Sequence, residues 1–301
     1  MKVSIIIVTY NTKVLTDDCI RSVQKFTENI DYEIILVDNA SNDGSKDFFE
    51  KNASINYIYS SDNLGFGRAN NLGAESATGE YLFFLNSDTL LKENSVKKLY
   101  DFYEKNNEVL KIGVLGCTLT DVEDLPNGSG NYFPTVSSIV TEKFGSLPLI
   151  RNFLKYKEVE IPVNKEEYYQ IDYVLGADMF LRKDLFYRVD LFNPEYFMYY
   201  EEAEIQRKIT ELGYKNFILK NVNIVHLVAK SSSNQSAKES HFKRLIVNKS
   251  RIVYLRNNNK LHSFLIFEYL FILLNFFNFN YSFKENLDYC KVISKKLQDN
   301  E

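Results

Sequence analysis

At 301 residues the chain accommodates one large or two modest domains of roughly 150 residues each, and it can bury a sizeable core without staples. Hydrophobic residues make up 45% and charged residues 25%, a globular balance that excludes wholesale disorder and collagen-like repeats. A net charge of −4 excludes a generally basic nucleic-acid binder, and Cys19, Cys117 and Cys290 stand too far apart for a zinc ribbon or a readable disulfide framework, which fits a reducing cytosol.

Lys2 and the apolar run Val3–Val8 have the look of a signal segment, but six apolar residues giving way to Thr9-Tyr10-Asn11 are too few for one. The β-branched run reads instead as a strand covered on both faces. Cys19, Ile20, Val23 and Phe26 then recur at helical spacing behind a cap at Thr16 or Asp17. A second strand at Glu33–Val37 ends in Asp38, and a polar turn, a short helix and a third strand near Ile55–Tyr59 follow. Arg68–Ala77 reads as a helix, Tyr81–Leu85 as a strand stopping at Asn86-Ser87-Asp88, Ser95–Lys105 as a helix and Ile112–Cys117 as a strand. This alternation predicts an α/β unit with a mostly parallel central sheet flanked by helices. From Thr118 to about Gln170 periodicity weakens and four of the five prolines occur, so a long variable loop region is expected. Pattern returns at Ile171–Leu181, in a helix from Glu201 to Leu212 stopped by Gly213, in a strand at Asn223–His226, and in helices beyond Ser240.

In open α/β sheets ligands bind at the carboxyl ends of strands, and three of the first four strands end in polar clusters: Thr9-Tyr10-Asn11, Asp38-Asn39 and Asn86-Ser87-Asp88. An aspartate ending an apolar strand can share a Mg²⁺ or Mn²⁺ ion with a diphosphate, although any single such residue is more often a turn former, and it is the convergence of three clusters that carries weight. Asn63-Leu64-Gly65-Phe66-Gly67-Arg68-Ala69-Asn70 couples a glycine turn to a helix start, bringing amides and Arg68 toward a phosphate. No glycine precedes Gly44, so a dinucleotide fingerprint after the first strand is excluded, and no P-loop occurs. Tyr199-Tyr200-Glu201-Glu202-Ala203-Glu204 sets three carboxylates at a helix start, where the helix dipole alone favours them but a general base for an incoming hydroxyl is also served. His226 closes a strand and is a candidate metal or phosphate ligand, although a lone histidine is more commonly a packing residue.

In chain order, Ser4–Asn11, Val37–Ser41 with Asp43-Gly44-Ser45, Asn63–Gly67 with Asn70-Asn71, Gly79–Asp88, Gly176–Met179, Phe197–Glu202 and His226 with Ser231 resemble a family-2 glycosyltransferase of the GT-A fold. The resemblance covers about residues 1–235, and the nearest subgroup is rhamnosyltransferase-like enzymes of bacterial surface polysaccharide assembly. It implies a catalytic domain over 1–235, with a nucleotide-binding half at 1–117 and an acceptor half at 118–235, and a helical extension over 236–301. It further implies an inverting transferase moving a sugar from a dTDP-rhamnose or UDP-hexose type donor to a glycan hydroxyl, the acceptor lipid-linked. On this resemblance Thr9, Tyr10, Asn11, Asp38, Asn63, Gly67, Arg68, Asn70, Asn86, Ser87 and Asp88 bind the donor, and Asp88 with His226 binds a divalent metal. Gly176, Ala177, Asp178 and Tyr200 face the acceptor, and Glu202, with Glu201 beside it, is the base. The family's Glu-Asp-x-Asp reads Glu201-Glu202-Ala203-Glu204 here, which leaves the base open between the first two. A sugar nucleotidyltransferase would need a basic glycine-rich loop after the first strand, which Thr9–Thr12 does not supply; a non-catalytic nucleotide-sugar-binding subunit would not need acids at 88, 201 and 202.

Seven basic residues between Lys238 and Lys260 precede the apolar run Phe264–Phe279, in which only Glu268, Asn275 and Asn278 are polar. Sixteen helical residues span about 24 Å, short of the roughly 30 Å hydrocarbon core. The expectation is therefore an in-plane amphipathic anchor with a basic flank on the inner face of the cytoplasmic membrane, against the alternatives of a packed helix or a homodimer interface.

Overall fold

The β-branched run Val3–Thr9 forms strand β1, and the basis of the architecture is that it is hydrogen-bonded on both sides. The computed structural model describes residues 1–144, 159, 161–162, 165–227, 240–258 and 281–298. After β1 come α1 (Lys13–Phe26), β2 (Tyr32–Asn39), α2 (Ser45–Phe49), β3 (Asn56–Ser60), α3 (Phe66–Ser76), β4 (Tyr81–Asn86) and β5 (Thr89–Leu91). Next are α4 (Ser95–Leu110), β6 (Ile112–Thr120), β7 (Gly130–Asn131), α5 (Val136–Phe144), β8 (Tyr168–Ile171), β9 (Tyr173–Val174) and β10 (Asp178–Arg182). The chain continues through α6 (Lys183–Arg188), α7 (Glu201–Glu211), β11 (Lys215–His226), α8 (His241–Asn257) and α9 (Phe283–Gln298).

Among the described residues one sheet has nine strands in the order β3-β2-β1-β4-β10-β6-β11-β5, with β8 also on β11, and β7 pairs separately with β9. The β3-β2-β1-β4 half is parallel throughout, as the strand–helix alternation requires. Beyond it β10 inserts antiparallel between β4 and β6, and β11 runs parallel to β6 but antiparallel to β5 and β8. The sheet is therefore parallel where nucleotide-type crossovers build it and mixed at the far side.

Alternation along the strands sends residues to two apolar layers. Ile5, Ile7, Leu36, Phe83 and Leu85 join Cys19, Ile20 and Val23 of α1 on one face. Ile6, Ile35, Val37, Leu82 and Phe84 meet Ala69 and Ala74 of α3 on the other. Free Cys19 and Cys117 are buried in the first layer, and burial pushes the Cys19 thiol up to about 12.

Several boundaries differ from the sequence reading, each for a tertiary reason. Helix α1 starts at Lys13, because Asp43 Oδ2 accepts the Lys13 N–H at 2.9 Å and so caps the helix from another loop. Helix α3 starts at Phe66 behind Gly65, whose φ of 81° suits glycine. Strand β11 extends back to Lys215 because buried Asn216 hides the apolar alternation: its amide accepts the Val114 N–H at 3.1 Å and donates to Asp172 O at 2.6 Å. The expected loop over 118–170 contains β7 and α5 and leads into β8.

The chain divides into two compact units, the first comprising Met1–Phe133, Val159–Pro194 and Glu202–Asn234, the second Pro134–Glu158, Glu195–Glu201 and Gln235–Glu301. The first holds the nine-stranded sheet. In the second, α8 and α9 pack through Arg244, whose guanidinium carbon sits 4.1 and 4.0 Å from the ring centroids of Tyr281 and Tyr289 while Nη1 donates to Asn286 Oδ1 at 3.1 Å. Among the described residues no helix is long and apolar enough to cross a membrane; the run 264–279 lies outside them.

Gly79 joins α3 to β4 against the backbone of the central strand: a Cβ there would stand 2.6 Å from the Ser4 backbone nitrogen and 2.8 Å from Val3 carbonyl carbon. Backbone in the central strand cannot yield, so Gly79→Ala is expected to lower unfolding free energy by about 1–3 kcal/mol, measured by chemical denaturation.

Candidate functional site

The parallel register aligns the strand tips. Thr9 lies opposite Asp38, and Val8 opposite both Val37 and Asn86, so the three polar clusters emerge side by side at the carboxyl edge of the first unit. Hydrogen bonds then lock the tips together. Thr9 Oγ1 shares hydrogen bonds with Thr16 Oγ1 at 2.8 Å and Thr12 Oγ1 at 3.1 Å, and Thr12 Oγ1 reaches Ser87 Oγ at 3.2 Å. Asn11, at φ 56°, donates its N–H to Ser41 Oγ at 3.0 Å and accepts the Asn42 N–H at 2.8 Å.

Asp38 is fully buried, Oδ1 accepting the Ser41 N–H at 2.8 Å and Oδ2 the Tyr57 hydroxyl at 2.7 Å. Burial, reinforced by that carboxylate, raises the Tyr57 phenol well above its ordinary range. Asn39, which the sequence reading did not single out by itself, donates to Asn63 Oδ1 at 3.0 Å and Gly65 O at 3.3 Å and accepts the Leu64 N–H at 2.7 Å. One buried amide thus fixes the whole 63–65 turn ahead of α3, and Arg68 Nε donates back to Leu64 O at 2.7 Å.

Tyr10, Asn11 and Arg68 are exposed and Asn86, Ser87 and Asp88 half-buried, so these six donor-side candidates reach the surface of the site. Thr9, Asp38, Gly67 and Asn70 are buried. The direct donor contact expected of Asn70 is corrected: it is 2% exposed and donates to Phe66 O, four residues back, at 3.0 Å. Asn63 likewise spends its carbonyl oxygen on Asn39 Nδ2 and the Gly65 N–H. Thr9 and Asp38 shape the floor rather than line it, because their polar atoms are already engaged inside.

Asp88 and His226, 138 positions apart in sequence, meet because β5 pairs with β11 in the register Thr89 opposite His226. Asp88 O accepts the Leu227 N–H at 2.9 Å, and Asp88 Oδ1 lies 3.4 Å from His226 Nε2. Side-chain exposures of 16% and 20% leave both reachable from solvent. A carboxylate and an imidazole so placed form a donor set that fits a divalent cation sharing its other positions with phosphate oxygens and water. Among the described residues no group of three or more His, Cys, Asp and Glu side chains is placed to hold a metal ion, so this pair supplies two protein ligands only. Ser231 lies outside the described residues.

Helix α7 carries the acidic cluster. Glu201 is 2% exposed, Glu204 is 5% exposed and accepts from Asn193 Nδ2 at 3.2 Å, and Glu202 alone of the three is half-buried. Gly176 lies beside it: a Cβ there would make ordinary contact with Glu202 Cβ at 3.9 Å and would crowd Phe66 Cζ at 3.1 Å. Gln206, which the sequence reading missed, is fully buried and anchors this turn, accepting the Val174 N–H at 2.8 Å and donating to Val174 O at 2.7 Å and Glu202 O at 3.1 Å. A glutamine one turn after the acidic pair was the only available signal. Tyr200, expected to face the acceptor, accepts a hydrogen bond through its hydroxyl from Arg251 Nε at 2.9 Å.

The acceptor role expected of Asp178 is corrected. It belongs to β10 in the middle of the sheet, is fully buried, and accepts the Cys117 N–H through Oδ2 at 2.5 Å. Ala177 is also buried, its carbonyl accepting the Asn86 N–H at 3.0 Å, so of this triplet Gly176 alone remains at the site's edge.

Residues 4–144 match the family model Glycosyl transferase family 2. Over 120 residues the chain is 34% identical to the poly(ribitol-phosphate) beta-N-acetylglucosaminyltransferase TarP of Staphylococcus aureus strain N315, a match covering 38% of this chain and 37% of that protein. Over 116 residues it is 31% identical to Glycosyltransferase GlyG of Streptococcus pneumoniae serotype 4, covering 37% of this chain and 38% of that protein. Both matches span less than two fifths of the relative's length. The crystal structure of GalNAc-T7 with UDP, GalNAc and Mn²⁺ is similar at a TM-score of 0.63 and 17% identity, covering 99% of this chain and 56% of that one. This likeness shows the fold, the α/β architecture of GT-A glycosyltransferases.

Burial raises the Asp178 carboxyl well above the usual carboxylate range. Between its unfolded value of about 3.9 and that raised folded value, the folded state keeps a proton the unfolded state has released, so stability falls as pH rises. Asp178→Asn should therefore flatten the pH dependence of the denaturation midpoint relative to the parent as pH rises above about 4; parallel curves for the two proteins count against a neutral buried acid.

Proposed function

We propose that this protein is an inverting glycosyltransferase that moves a sugar from a nucleoside-diphosphate donor, of the dTDP-rhamnose or UDP-hexose type, to a hydroxyl of a lipid-linked glycan in bacterial surface polysaccharide assembly. The observation that carries this reading is the Asp88–His226 pair, 3.4 Å apart at the carboxyl edge of a sheet whose residues 4–144 match Glycosyl transferase family 2. The UDP, GalNAc and Mn²⁺ in the GalNAc-T7 structure and the poly(ribitol-phosphate) in the name of the Staphylococcus relative support a nucleotide-sugar donor and a cell-surface polymer as acceptor class.

Asp88 and His226 would hold a divalent cation, whose charge offsets that of the diphosphate leaving group. Tyr10, Asn11 and Arg68 border the same edge and bind and orient the nucleotide portion. Glu202 takes the proton from the acceptor hydroxyl as its oxygen attacks the anomeric carbon, the bond to the diphosphate oxygen breaks, and the configuration inverts. Glu202 suits this task better than Glu201 because it is accessible and held beside Gly176, whereas Glu201 is enclosed. Asp88→Ala and Glu202→Gln are each expected to lower kcat at least a hundredfold with circular dichroism unchanged, in an assay of Mn²⁺-dependent turnover of UDP- and dTDP-sugars. Full activity in both variants would remove the site assignment.

Peripheral membrane contact is part of the same proposal, but its physical basis shifts. Of the five described basic residues in the C-terminal run, Arg244 and Arg251 are buried and Arg256 is ion-paired with Glu195, leaving Lys243 and Lys249 exposed. Binding therefore rests chiefly on the apolar run 264–279, with the three buried or paired arginines withdrawn from the basic flank. Liposome flotation should change little between low and high salt, whereas steep salt dependence would restore the electrostatic reading.

A further inference from the structure

We infer that helix α8 of the C-terminal extension, through Arg251, is a brace that fixes the backbone leading into the candidate base, making Arg251 a positioning residue for Glu202. The inference rests on the glycosyltransferase reading above.

The starting observation is backbone strain. Tyr199 and Tyr200 both lie at φ 73°, in the left-handed region that bulky side chains avoid, and α7 begins at the next residue, Glu201. Each such residue costs of order 1–3 kcal/mol unless its surroundings hold it there. Several contacts to this segment come from one helix of the same unit, α8. Ser250 Oγ donates to Met198 O at 2.8 Å, and Arg251 Nε donates to the Tyr200 hydroxyl at 2.9 Å. The Tyr200 and Tyr254 ring centroids are 5.5 Å apart, Lys243 Nζ is 5.9 Å from the Tyr199 ring, and Arg256 pairs with Glu195. Lys243, Ser250 and Tyr254 are spaced by seven and four residues, so they share one stripe of α8.

Arg251 is the decisive member. It is 1% exposed, and a buried guanidinium is tolerated only when its N–H groups are engaged; Nε serves Tyr200 and Nη1 serves Asn248 Oδ1 at 3.3 Å. Enclosing a charge to hold a tyrosine hydroxyl is an expensive way to pack a helix, but it fixes both the position and the direction of Tyr200. If the tether is lost, the two tyrosines can relax toward negative φ, which redirects the chain at the start of α7, two residues before Glu202. A general base acts over distances of roughly 3 Å, and misplacement by about 1 Å costs up to a hundredfold in rate.

The test compares Arg251→Lys and Tyr200→Phe, the second keeping the ring and removing only the hydroxyl, with Glu202→Gln as control. Two readouts are taken on the full chain: amide hydrogen exchange of residues 198–203, and steady-state turnover of the most rapidly consumed donor from a panel of UDP- and dTDP-sugars with Mn²⁺. The expected result is faster exchange confined to 198–203, with kcat lower by about tenfold to a hundredfold and donor KM within about twofold. Replacing Tyr199 by Gly in the Arg251→Lys background should recover part of the lost kcat, because glycine takes positive φ without strain. Unchanged exchange overturns the inference, as does faster exchange with kcat intact while Glu202→Gln is inactive. Full activity in Glu202→Gln would strike the base assignment itself, and the brace's catalytic role with it.

Discussion

Strand β1 is held by β2 on one side and β4 on the other in parallel register, and the rest of the molecule is organised around that constraint. Parallel strands point the same way, so the residues that end them must share an edge; Thr9, Asp38 and Asn86 have no other place to go. The helices that follow parallel strands start at this same edge, and α1 begins four residues after β1 ends. Asp43 takes up the Lys13 N–H at the start of α1, and the helix dipoles give the edge a positive backbone potential beside its carboxylates. Such an edge favours an anion before any particular side chain is chosen.

Buried amides do most of the fastening. Asn39, Asn216 and Gln206 each pair both donor and acceptor with neighbouring groups, and Asn71 clamps Phe192 the same way, donating to its carbonyl at 2.8 Å and accepting its N–H at 3.0 Å. A carboxamide is suited to this because it offers both functions without a charge to desolvate. This also explains why several polar residues near the strand tips are structural: turns crowded against a sheet have many backbone groups to satisfy, and the nearest polar side chains are used for that first.

The C-terminal extension has a different character from what its charge suggests. Arginines that look like a solvated basic face are consumed by tyrosines, asparagines and a glutamate within the second unit. Guanidinium groups stack on aromatic rings and donate in-plane hydrogen bonds together, which makes a tyrosine-rich surrounding able to accept them where a lysine ammonium would remain in water.

The sequence by itself determined the parallel half of the sheet and its site edge. Apolar runs of strand length ending in Asn, Asp or Ser, alternating with helical spacing, admit few other arrangements, and Asp88 stood out as a candidate by ending one of them. It did not determine which side of the sheet was mixed, because β5 is three residues long with no periodicity of its own, and nothing in the pattern of β10 marks its antiparallel insertion between β4 and β6. Nor did it separate buried Asp178 and Asn70 from the accessible candidates, since a buried carboxyl and a helix-bonded amide are spelled with the same letters as exposed ones. Those distinctions, the pairing of Asp88 with His226, and the difference between enclosed Glu201 and accessible Glu202 were decided only by tertiary structure, because strand pairing and burial are set by contacts between residues far apart along the chain.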